Sequence, residues 1–527
     1  MELENKGWYP GSVIYQIYPR SYKDSNGDGI GDLLGIVEKL DYIKDLGVSA
    51  IWLSPIYKSP MLDLGYDISD YTAIDPIFGS LNDFDLLVEG IHKRKLKIML
   101  DFVPNHTSSD HQWFLDSRSS KDNPKRDWYI WKDPKPDGSP PNNWISVAGG
   151  TAWEFDEHTG QYYLHSFLKD QPDLNWRNPE VVDAMSDVLR FWLNRGVDGF
   201  RVDVFYYLLK DERFLDEPIN KDYKPGVDHP NEKLKHIYSK DQPETREIMA
   251  HFNDILDEFG NKFMVSETYV DISQTIDIYN TSKSGSHAPF NFHLIFQPFE
   301  VKAYKKVIDE FQKSIREHDI PVYVLGNHDQ SRIVSRLGGM MQARLAAMMK
   351  LTLPGTPFIY YGDEIGMEDT PIPHDKHVDT FEVNRDPQRT PMQWDTSLNA
   401  GFSKSEPWLP VNPRYKQINV VSQRESLQST LTLYKTLIRM RKTITTIHTG
   451  QYVPVEIESE YIFAYLRTHG NEHLLIVLNF SPNEEIIKLP YKEIKFVIST
   501  YLDERDPEIN DYTFRLRPHE GWILRVK

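Results

Sequence analysis

Four short apolar runs in the sequence each end in a carboxylate, at the point where a buried strand would stop. The acids at these ends are Asp101, Asp203, Glu267 and Asp329. An unpaired charge is costly to bury beside apolar residues, so four such ends predict one wet pocket. A closed barrel of parallel strands brings the carboxyl ends of its strands to one face, where catalytic residues collect.

Two of these acids suit the cleavage of a glycosidic bond with retention, which needs one carboxylate as nucleophile and a second as acid/base. We interpret Asp203 as the nucleophile and Glu267, which follows the apolar run FMVS on a longer side chain, as the acid/base. Arg201 lies two residues before Asp203 and should point to the same face, where its charge would keep Asp203 ionised. Asp329 is expected to bind sugar hydroxyls and to stabilise positive charge, and His106 to donate to the same sugar.

The segment DSNGDGIGD is a separate signal, since it offers oxygen ligands at short spacing around two glycines. These ligands are Asp24, Asn26, Asp28 and Asp32. The pattern resembles the opening of a calcium-binding EF-hand loop without its final glutamate. We expect a structural Ca²⁺, or Mg²⁺, that braces the loop, and the alternative is a turn rich in Asp, Asn and Gly. A zinc site is less favoured, because the spacing of the histidines matches no compact ligand motif.

The elements that must position these residues alternate along the chain. Further apolar runs raise the number of predicted strands to eight, and they lie at 13–19, 50–55, 287–296 and 357–364. Segments with the helical period fall between several of the strands, as at 32–47 and 180–196. This alternation predicts a parallel α/β architecture.

The alternation breaks after the third strand, where a long stretch rich in Asn, Pro, Gly and Trp has no periodicity. A loop of this length in a compact domain is usually functional or a small inserted domain. Near the C-terminus, short runs with alternating and β-branched residues predict a separate β domain. The predicted division is the first part of a barrel, an inserted domain, the second part of the barrel and a β domain, at 1–104, 105–174, 175–445 and 446–527.

Composition narrows the classes of function. The 527 residues carry a formal net charge of -18, which argues against a phosphate-backbone partner. The cysteine count is 0, so disulfides and thiolate metal sites are excluded. The mean hydropathy is -0.54, and no apolar run is long enough to span a bilayer. The polar start MELENKGWYP has no signal pattern, so a cytoplasmic location is expected.

The four strand-end motifs, in this order, resemble the four signature regions of the α-amylase family, glycoside hydrolase family 13. Longer motifs are similar to its α-glucosidase and oligo-1,6-glucosidase branch, among them QIYPRSYKDSNGDGIGDLLGI, QPDLNWRNPEV, TLPGTPFIYYGDEIGM and RTPMQW. The resemblance implies a (β/α)8 TIM barrel with an inserted B domain after strand 3 and a C-terminal all-β sandwich domain. It also implies a retaining, exo-acting α-glucosidase that releases glucose from maltose, isomaltose-type oligosaccharides or sucrose.

The same resemblance implies roles for single residues. The catalytic trio keeps the roles given above, with Asp329 as transition-state stabiliser, and the matching substrate-binding positions are Arg201, His106 and His328. Asp67 and Arg389 resemble a pair that closes the pocket behind the terminal glucose, and Tyr66 resembles its stacking platform. The Ile30 carbonyl resembles a further metal ligand. Val204, directly after the nucleophile, tends to accompany α-1,6 activity in this branch.

Two other functions stay open. A transferase or isomerase of the same fold, such as a trehalose or isomaltulose synthase, would accumulate a disaccharide instead of glucose. A non-catalytic heavy chain of an amino-acid transporter shares the motifs QPDLN and TLPGTP, but it would need an N-terminal transmembrane helix and often lacks acids that are present here. We expect a small oligosaccharide or disaccharide as substrate, no nucleic-acid or membrane partner, and a monomer or homodimer.

Overall fold

The computed structural model describes residues 7–282, 285–316, 319–381, 383–503 and 512–527. Within these ranges the strands before residue 361 are β1 (Ile14–Ile17), β2 (Ala50–Leu53), β3 (Tyr57–Lys58), β4 (Asp70–Ile74), β5 (Lys97–Phe102), β6 (Trp131–Lys132), β7 (Trp153–Asp156), β8 (Gln161–Leu164), β9 (Gly199–Val202), β10 (Phe263–Ser266), β11 (His287–Pro289) and β12 (Phe358–Tyr360).

Seven of these strands form one curled parallel sheet, in the order β11-β10-β9-β5-β2-β1-β12. Strands β1, β2, β9 and β10 are buried along their whole length, which explains why the sequence shows continuous apolar runs instead of alternation. Of the other strands, β3 pairs with β4, and β6, β8 and β7 form a small antiparallel sheet within the predicted insertion. The carboxyl ends of the parallel strands therefore share one face of the sheet.

The predicted strand at 322–329 differs from the others, because it forms no ladder. Its pairing in the described chain is a single parallel bridge between Tyr323 and Asn291, directly after β11. On the other side, the N–H of Thr356, just before β12, donates to the carbonyl of Pro321 at 2.8 Å. Pro321 has no N–H to continue a ladder. The fold is therefore the predicted α/β barrel, with seven laddered strands and an eighth, strand-like segment between its edges.

The helices lie mostly between these strands, as the sequence predicts. Their bounds in the described residues are α1 (Leu33–Glu38), α2 (Leu40–Leu46), α3 (Leu81–Lys93), α4 (Gln112–Ser119), α5 (Pro179–Asn194), α6 (Thr245–Phe259), α7 (Ile272–Tyr279), α8 (Val301–Ser314), α9 (Ile333–Leu337), α10 (Met340–Thr352), α11 (Val420–Arg424), α12 (Thr430–Thr443) and α13 (Thr445–Thr449). None of the helices in the described ranges is both long and apolar enough to cross a bilayer.

Helix ends follow local sequence signals. Helix α3 begins with a capping box, in which the side chains of Ser80 and Asp83 each accept a hydrogen bond from the backbone N–H of the other. Helix α2 ends at Gly47, whose φ of 97° is the left-handed conformation that glycine adopts without strain. The single helix predicted over 32–47 is divided at Lys39, which leaves the helical conformation at φ -104° and ψ 4°.

The C-terminal region forms two antiparallel sheets, as predicted. Its strands are β13 (Gln451–Val455), β14 (Ile462–His469), β15 (Glu472–Asn479), β16 (Glu485–Lys488), β17 (Ile494–Ser499), β18 (Thr513–Leu516) and β19 (Gly521–Val526). The five-stranded sheet β13-β14-β15-β19-β17 packs on the pair β16-β18. Along β15, Val477 faces this inner core, whereas Ile476 and Leu478 join the core of the barrel. The period of two thus lets one strand serve two cores.

Candidate active site

A cavity of about 450 Å³ opens where the strand ends meet. All three predicted catalytic acids line it, as do three of the predicted substrate-binding residues, namely Tyr66, His106 and His328. Asp203 follows β9, Glu267 follows β10, and Asp329 follows the strand-like segment. The strand ends thus bring together three acids that are as far as 126 positions apart in the sequence.

One guanidinium joins the acids at the base of this cavity. Arg201, on β9, is 1% exposed, and its Nη1 lies 2.7 Å from Asp101 Oδ1 and 2.6 Å from Asp203 Oδ1. Its Nη2 lies 2.8 Å from Glu267 Oε2. Asp203 and Glu267 therefore sit on adjacent nitrogens of a rigid planar fork. That placement favours the short carboxyl separation of about 5–5.5 Å typical of retaining glycosidases over the longer one of inverting enzymes.

Burial raises the pKa of the Asp203 carboxyl well above its ordinary value, and Arg201 only partly offsets this. The carboxylates of Glu267 and Asp101 raise the pKa of Asp203 further. Arg201 acts in the expected direction, toward the ionised form of Asp203, but its single charge is shared among three acids. The acids around Arg201 therefore make Asp203 harder to ionise than an ordinary carboxyl.

Asp329 has the opposite environment. Burial alone would raise its pKa, but His328 and three arginines lower the pKa below its ordinary value. Its Oδ1 accepts from Arg389 Nη2 at 2.8 Å and from Arg385 Nη1 at 3.3 Å. Asp329 is therefore a carboxylate that stays ionised, as stabilisation of a developing positive charge requires.

Two neutral histidines flank the acids. Burial lowers the pKa of His328 to about 3 and also lowers the pKa of His106. The ring of His328 stacks on Tyr66 with centroids 5.4 Å apart, and its Nε2 lies 2.8 Å from the Tyr66 hydroxyl. The Tyr66 hydroxyl donates to Asp101 Oδ2 at 3.0 Å. Asp101 thus anchors Arg201 and Tyr66, whereas His106 is held by the Tyr66 carbonyl, 3.2 Å from its Nε2.

The structure does not join Asp67 to Arg389. The Asp67 carboxylate is fully buried and accepts hydrogen bonds from the N–H groups of Leu62 and Asp63, at 2.9 and 3.0 Å, and from the Ser59 hydroxyl at 2.9 Å. These bonds fold the loop after β3 and leave the carboxylate away from the cavity. Arg389 is also buried and lies behind the cavity, on Asp329. The predicted pairing of Asp67 with Arg389 is therefore wrong.

A different acid–arginine pair lies in the wall of the cavity. Asp63 Oδ1 lies 2.8 Å from Arg385 Nη2, and both residues line the cavity wall. Arg385 also bonds Asp379 at 2.8 Å and Asp329 at 3.3 Å. Each member of this pair lies four positions before the predicted one, in a loop without periodicity. No periodic signal in either loop distinguishes Asp63 from Asp67 or Arg385 from Arg389.

Comparison with known proteins decides the family. Residues 16–450 match the family described as alpha amylase, catalytic domain, and residues 462–523 match the C-terminal domain of the alpha-amylase SusG. This chain belongs to the α-amylase family. An alpha-glucosidase of Culex pipiens is 42% identical over 100% of this chain and 92% of its own length. An oligo-1,6-glucosidase of Parageobacillus thermoglucosidasius is 40% identical, with 99% of each chain covered.

Solved structures extend this likeness to other α-amylase family members. The alpha-glucosyl transfer enzyme XgtA is 37% identical, with a TM-score of 0.93 over 99% of this chain and 100% of its own. The isomaltulose synthase SmuA from Protaminobacter rubrum is 35% identical, with a TM-score of 0.89 over 99% of each chain. The likeness thus includes proteins whose names describe both hydrolysis and glucosyl transfer.

Two further features of this α-amylase family member were not predicted. Val204, next to Asp203, has a φ of 33°, which is strained for a β-branched residue. Its N–H donates to Glu267 Oε2 at 3.1 Å. In addition, the buried Lys210 ammonium lies 2.6 Å from Asp173 and donates to the Tyr207 carbonyl at 2.5 Å. These contacts tie the loop after β9 to the inserted segment. A lysine seven positions after Asp203 was the available signal.

The predicted metal loop is folded on its own side chains. Asp24 is buried and accepts from the N–H groups of Gly27 and Gly29, at 2.6 and 2.9 Å. Asp32 is also buried and caps α1 by accepting from the Gly35 N–H at 2.7 Å. Within the described residues, no group of three or more His, Asp or Glu side chains is placed to hold a metal without other ligands. A cation here would need amide and carbonyl oxygens as well.

Proposed function

We propose that this protein is a retaining, exo-acting α-glucosidase that releases α-glucose from the non-reducing end of short α-glucosides. The observation that carries the proposal is the placement of Asp203 and Glu267 on adjacent nitrogens of the Arg201 guanidinium, inside one cavity. The full-length relatives with alpha-glucosidase and oligo-1,6-glucosidase names support it.

The chemistry follows from the environment of each acid. Asp203 attacks the anomeric carbon while Glu267 gives its proton to the departing oxygen, and a covalent glucosyl-enzyme forms. Water, deprotonated by Glu267, then attacks the same carbon and releases glucose with its configuration retained. Asp329, which stays ionised, stabilises the positive charge that develops on the sugar ring in both steps.

An ion pair in the cavity wall is expected to give exo action. Asp63 and Arg385 both line the cavity, with their charged groups 2.8 Å apart. A sugar chain that meets this pair would bind with its terminal residue against it and could not extend past it. The charged pair also offers donors and an acceptor to the hydroxyls of that terminal glucose.

Parallel incubation with maltose, isomaltose, sucrose and trehalose tests this function. We expect glucose release from at least one of them, with the α-anomer formed first. Asp203→Asn should lose about 10⁴-fold or more in kcat, because the covalent step has no nucleophile. Asp211→Asn is the matched control, since Asp211 pairs only with the exposed Arg213 in the described contacts. Full activity of Asp203→Asn would refute the assignment of the nucleophile.

Glucosyl transfer is the second candidate, and the likeness to XgtA and SmuA favours it. The two functions share the first step and differ in the acceptor that attacks the glucosyl-enzyme. The same incubations separate them, because a transferase or isomerase accumulates a new disaccharide from maltose or sucrose while little glucose is released.

We also propose that the loop 24–32 holds a structural Ca²⁺ or Mg²⁺. The donors available are all oxygen, which fits a hard cation, and they come from Asp24, Asn26, Asp28, Asp32 and the carbonyl of Ile30. Two of the acids are already anchored by backbone N–H groups, so the loop needs little ordering to bind. The ion would brace the loop after β1 without touching the substrate.

A further inference from the structure

A polar side chain on the first strand of the barrel, that of Gln16, contacts the active-site residue His328. Gln16 lies on β1, is 1% exposed and stands among apolar neighbours. Its Nε2 lies 2.9 Å from His328 Nδ1 and 3.3 Å from the Ser54 hydroxyl at the end of β2. A buried amide in this place loses its bonds to water, so its partners must compensate.

The chemistry of the amide fixes which imidazole nitrogen carries the proton. An amide nitrogen has hydrogens and no free lone pair, so Gln16 Nε2 donates and His328 Nδ1 accepts. A neutral imidazole has one N–H, which must then be on Nε2. His328 Nε2 faces the Tyr66 hydroxyl at 2.8 Å and Asp329 Oδ2 at 3.2 Å. Both partners are able to accept.

The opposite tautomer would oppose the rest of the site. With the proton on Nδ1, the lone pair of Nε2 would face the Asp329 carboxylate, which is repulsive. Tyr66 would also have to donate to His328, and Asp101 would lose the hydrogen bond that it accepts from Tyr66 at 3.0 Å. Since Asp101 holds Arg201, the direction of the hydrogen bond at Gln16 is passed along a chain to the two catalytic acids.

We propose that Gln16 is a positioning residue that holds His328 as the Nε2–H tautomer, so that His328 donates toward the substrate side of the cavity. The proposal rests on the α-glucosidase function above. Gln16 touches no reacting atom, and its effect passes through His328. In other active sites, a carboxylate or carbonyl accepts a hydrogen bond from one histidine nitrogen and so fixes the tautomer. Gln16 fixes the tautomer of His328 in the same way, but it donates the hydrogen bond instead of accepting it.

Gln16→Glu tests this tautomer, because the side chain keeps its length but can only accept. The carboxylate forces a proton onto Nδ1, so Nε2 loses its proton at neutral pH, and kcat should fall about 10- to 100-fold. The new negative charge also raises the pKa of His328. As pH falls through that raised pKa, the doubly protonated ring regains its Nε2–H. The activity of the variant relative to the wild type should therefore recover on the acid side.

Other charged or titratable groups face His328 and are unchanged in this variant. They are Tyr66, Asp329, Tyr18, Arg201, Arg385 and Arg389. Gln393→Glu is the matched control, since Gln393 is equally buried and donates to the Ile418 carbonyl, away from the cavity. It should show no recovery of relative activity at low pH.

The nitrogen-15 NMR spectrum of histidine-labelled wild-type protein gives a readout that needs no turnover. We expect His328 to carry its hydrogen on Nε2 in the wild type and on Nδ1 in Gln16→Glu at neutral pH. A wild-type Nδ1–H tautomer would overturn the proposal even if the variant fails to fold. A variant whose pH profile parallels that of the wild type would also overturn it. If the proposed α-glucosidase function is wrong, the wild-type protein will not turn over α-glucosides, and this result is distinct from either tautomer outcome.

Discussion

Arg201 concentrates the electrostatics of the site in one side chain. Three carboxylates share its single positive charge, and burial, together with the neighbouring carboxylates, raises the pKa of Asp203. Asp329 instead has arginine partners of its own and stays ionised. The site therefore holds one acid with a lowered pKa, Asp329, beside one with a raised pKa, Asp203, and such a separation gives neighbouring carboxyls different roles.

Asp101→Asn should move the acid limb of kcat/KM to lower pH. Asp203 must be ionised to attack, so activity appears as pH rises through its pKa, and Asp101 raises that pKa. Burial raises the pKa of Asp101 itself to about 6, so Asp101 carries its negative charge, and raises the pKa of Asp203, mainly above that pH. Asparagine keeps an oxygen toward Arg201 and removes only the charge. The pH dependence of kcat/KM on the best substrate measures the shift.

Asp198→Asn is the control for this prediction, because Asp198 is a buried acid at the opposite end of β9. It pairs with Lys97 at 2.9 Å and does not contact the cavity. It should lower thermal stability and leave the acid limb in place. If the acid limb of Asp101→Asn keeps its position or moves to higher pH, Asp101 is not a source of the raised pKa of Asp203.

At the scale of elements, the sequence predicted best the strands and the polar residues at their ends, because burial determines both. Continuous apolar runs marked the strands, and the acid after each run marked the site, because a buried strand and a wet strand end are both visible as residue types. The pair Asp63–Arg385 was missed, since loop residues of equal type four positions away carry no periodic signal. The ladder at 322–329 was also overestimated, because apolar composition shows burial and not hydrogen bonding.

The loop 24–32 gives a prediction at this scale. Removal of divalent cations with a chelator should lower the melting temperature, and Ca²⁺ at about 100 times its Kd should restore about 2.7 kcal/mol of stability. Asp28→Ala should remove this dependence, because Asp28 is an exposed loop acid that caps no helix. Asp137→Ala, in an exposed turn, is the control and should keep it. Equal melting temperatures with chelator and with Ca²⁺ in the wild type would refute the site.

At the scale of the whole molecule, buried arginines from the C-terminal sheets and from α12 bond the end of helix α10 in the barrel. Arg467, on β14, donates to the carbonyls of Thr352, at the end of α10, and of Gly450. Arg441, on α12, donates to the carbonyls of Leu351 and Leu353 at 2.8 Å each. The last carbonyls of α10 thus take their donors from two separate parts of the chain. Such carbonyls have no partner within a helix of their own.

Arg467→Met should therefore destabilise the whole chain and leave the chemistry intact. The buried carbonyls of Thr352 and Gly450 lose their donor, and each unpaired group costs about 1–3 kcal/mol. We expect a lower melting temperature with unchanged kcat at temperatures well below it. Arg525→Met, whose partner Glu472 lies at the surface, is the control and should change stability little. An unchanged melting temperature for Arg467→Met would count against this joint.

The single bridge at Tyr323 makes this barrel unequal around its circumference. Ladder hydrogen bonds hold β2 against β1 and β5 along four residue pairs each, whereas the strand-like segment has little of this support. Local opening costs the least free energy where backbone hydrogen bonds are fewest, so we expect the barrel to open first along this segment, just before Asp329. Arg385 and Arg389, which come after β12, both bond Asp329. They therefore also hold the strand-like segment to the part of the chain that follows the other edge of the sheet.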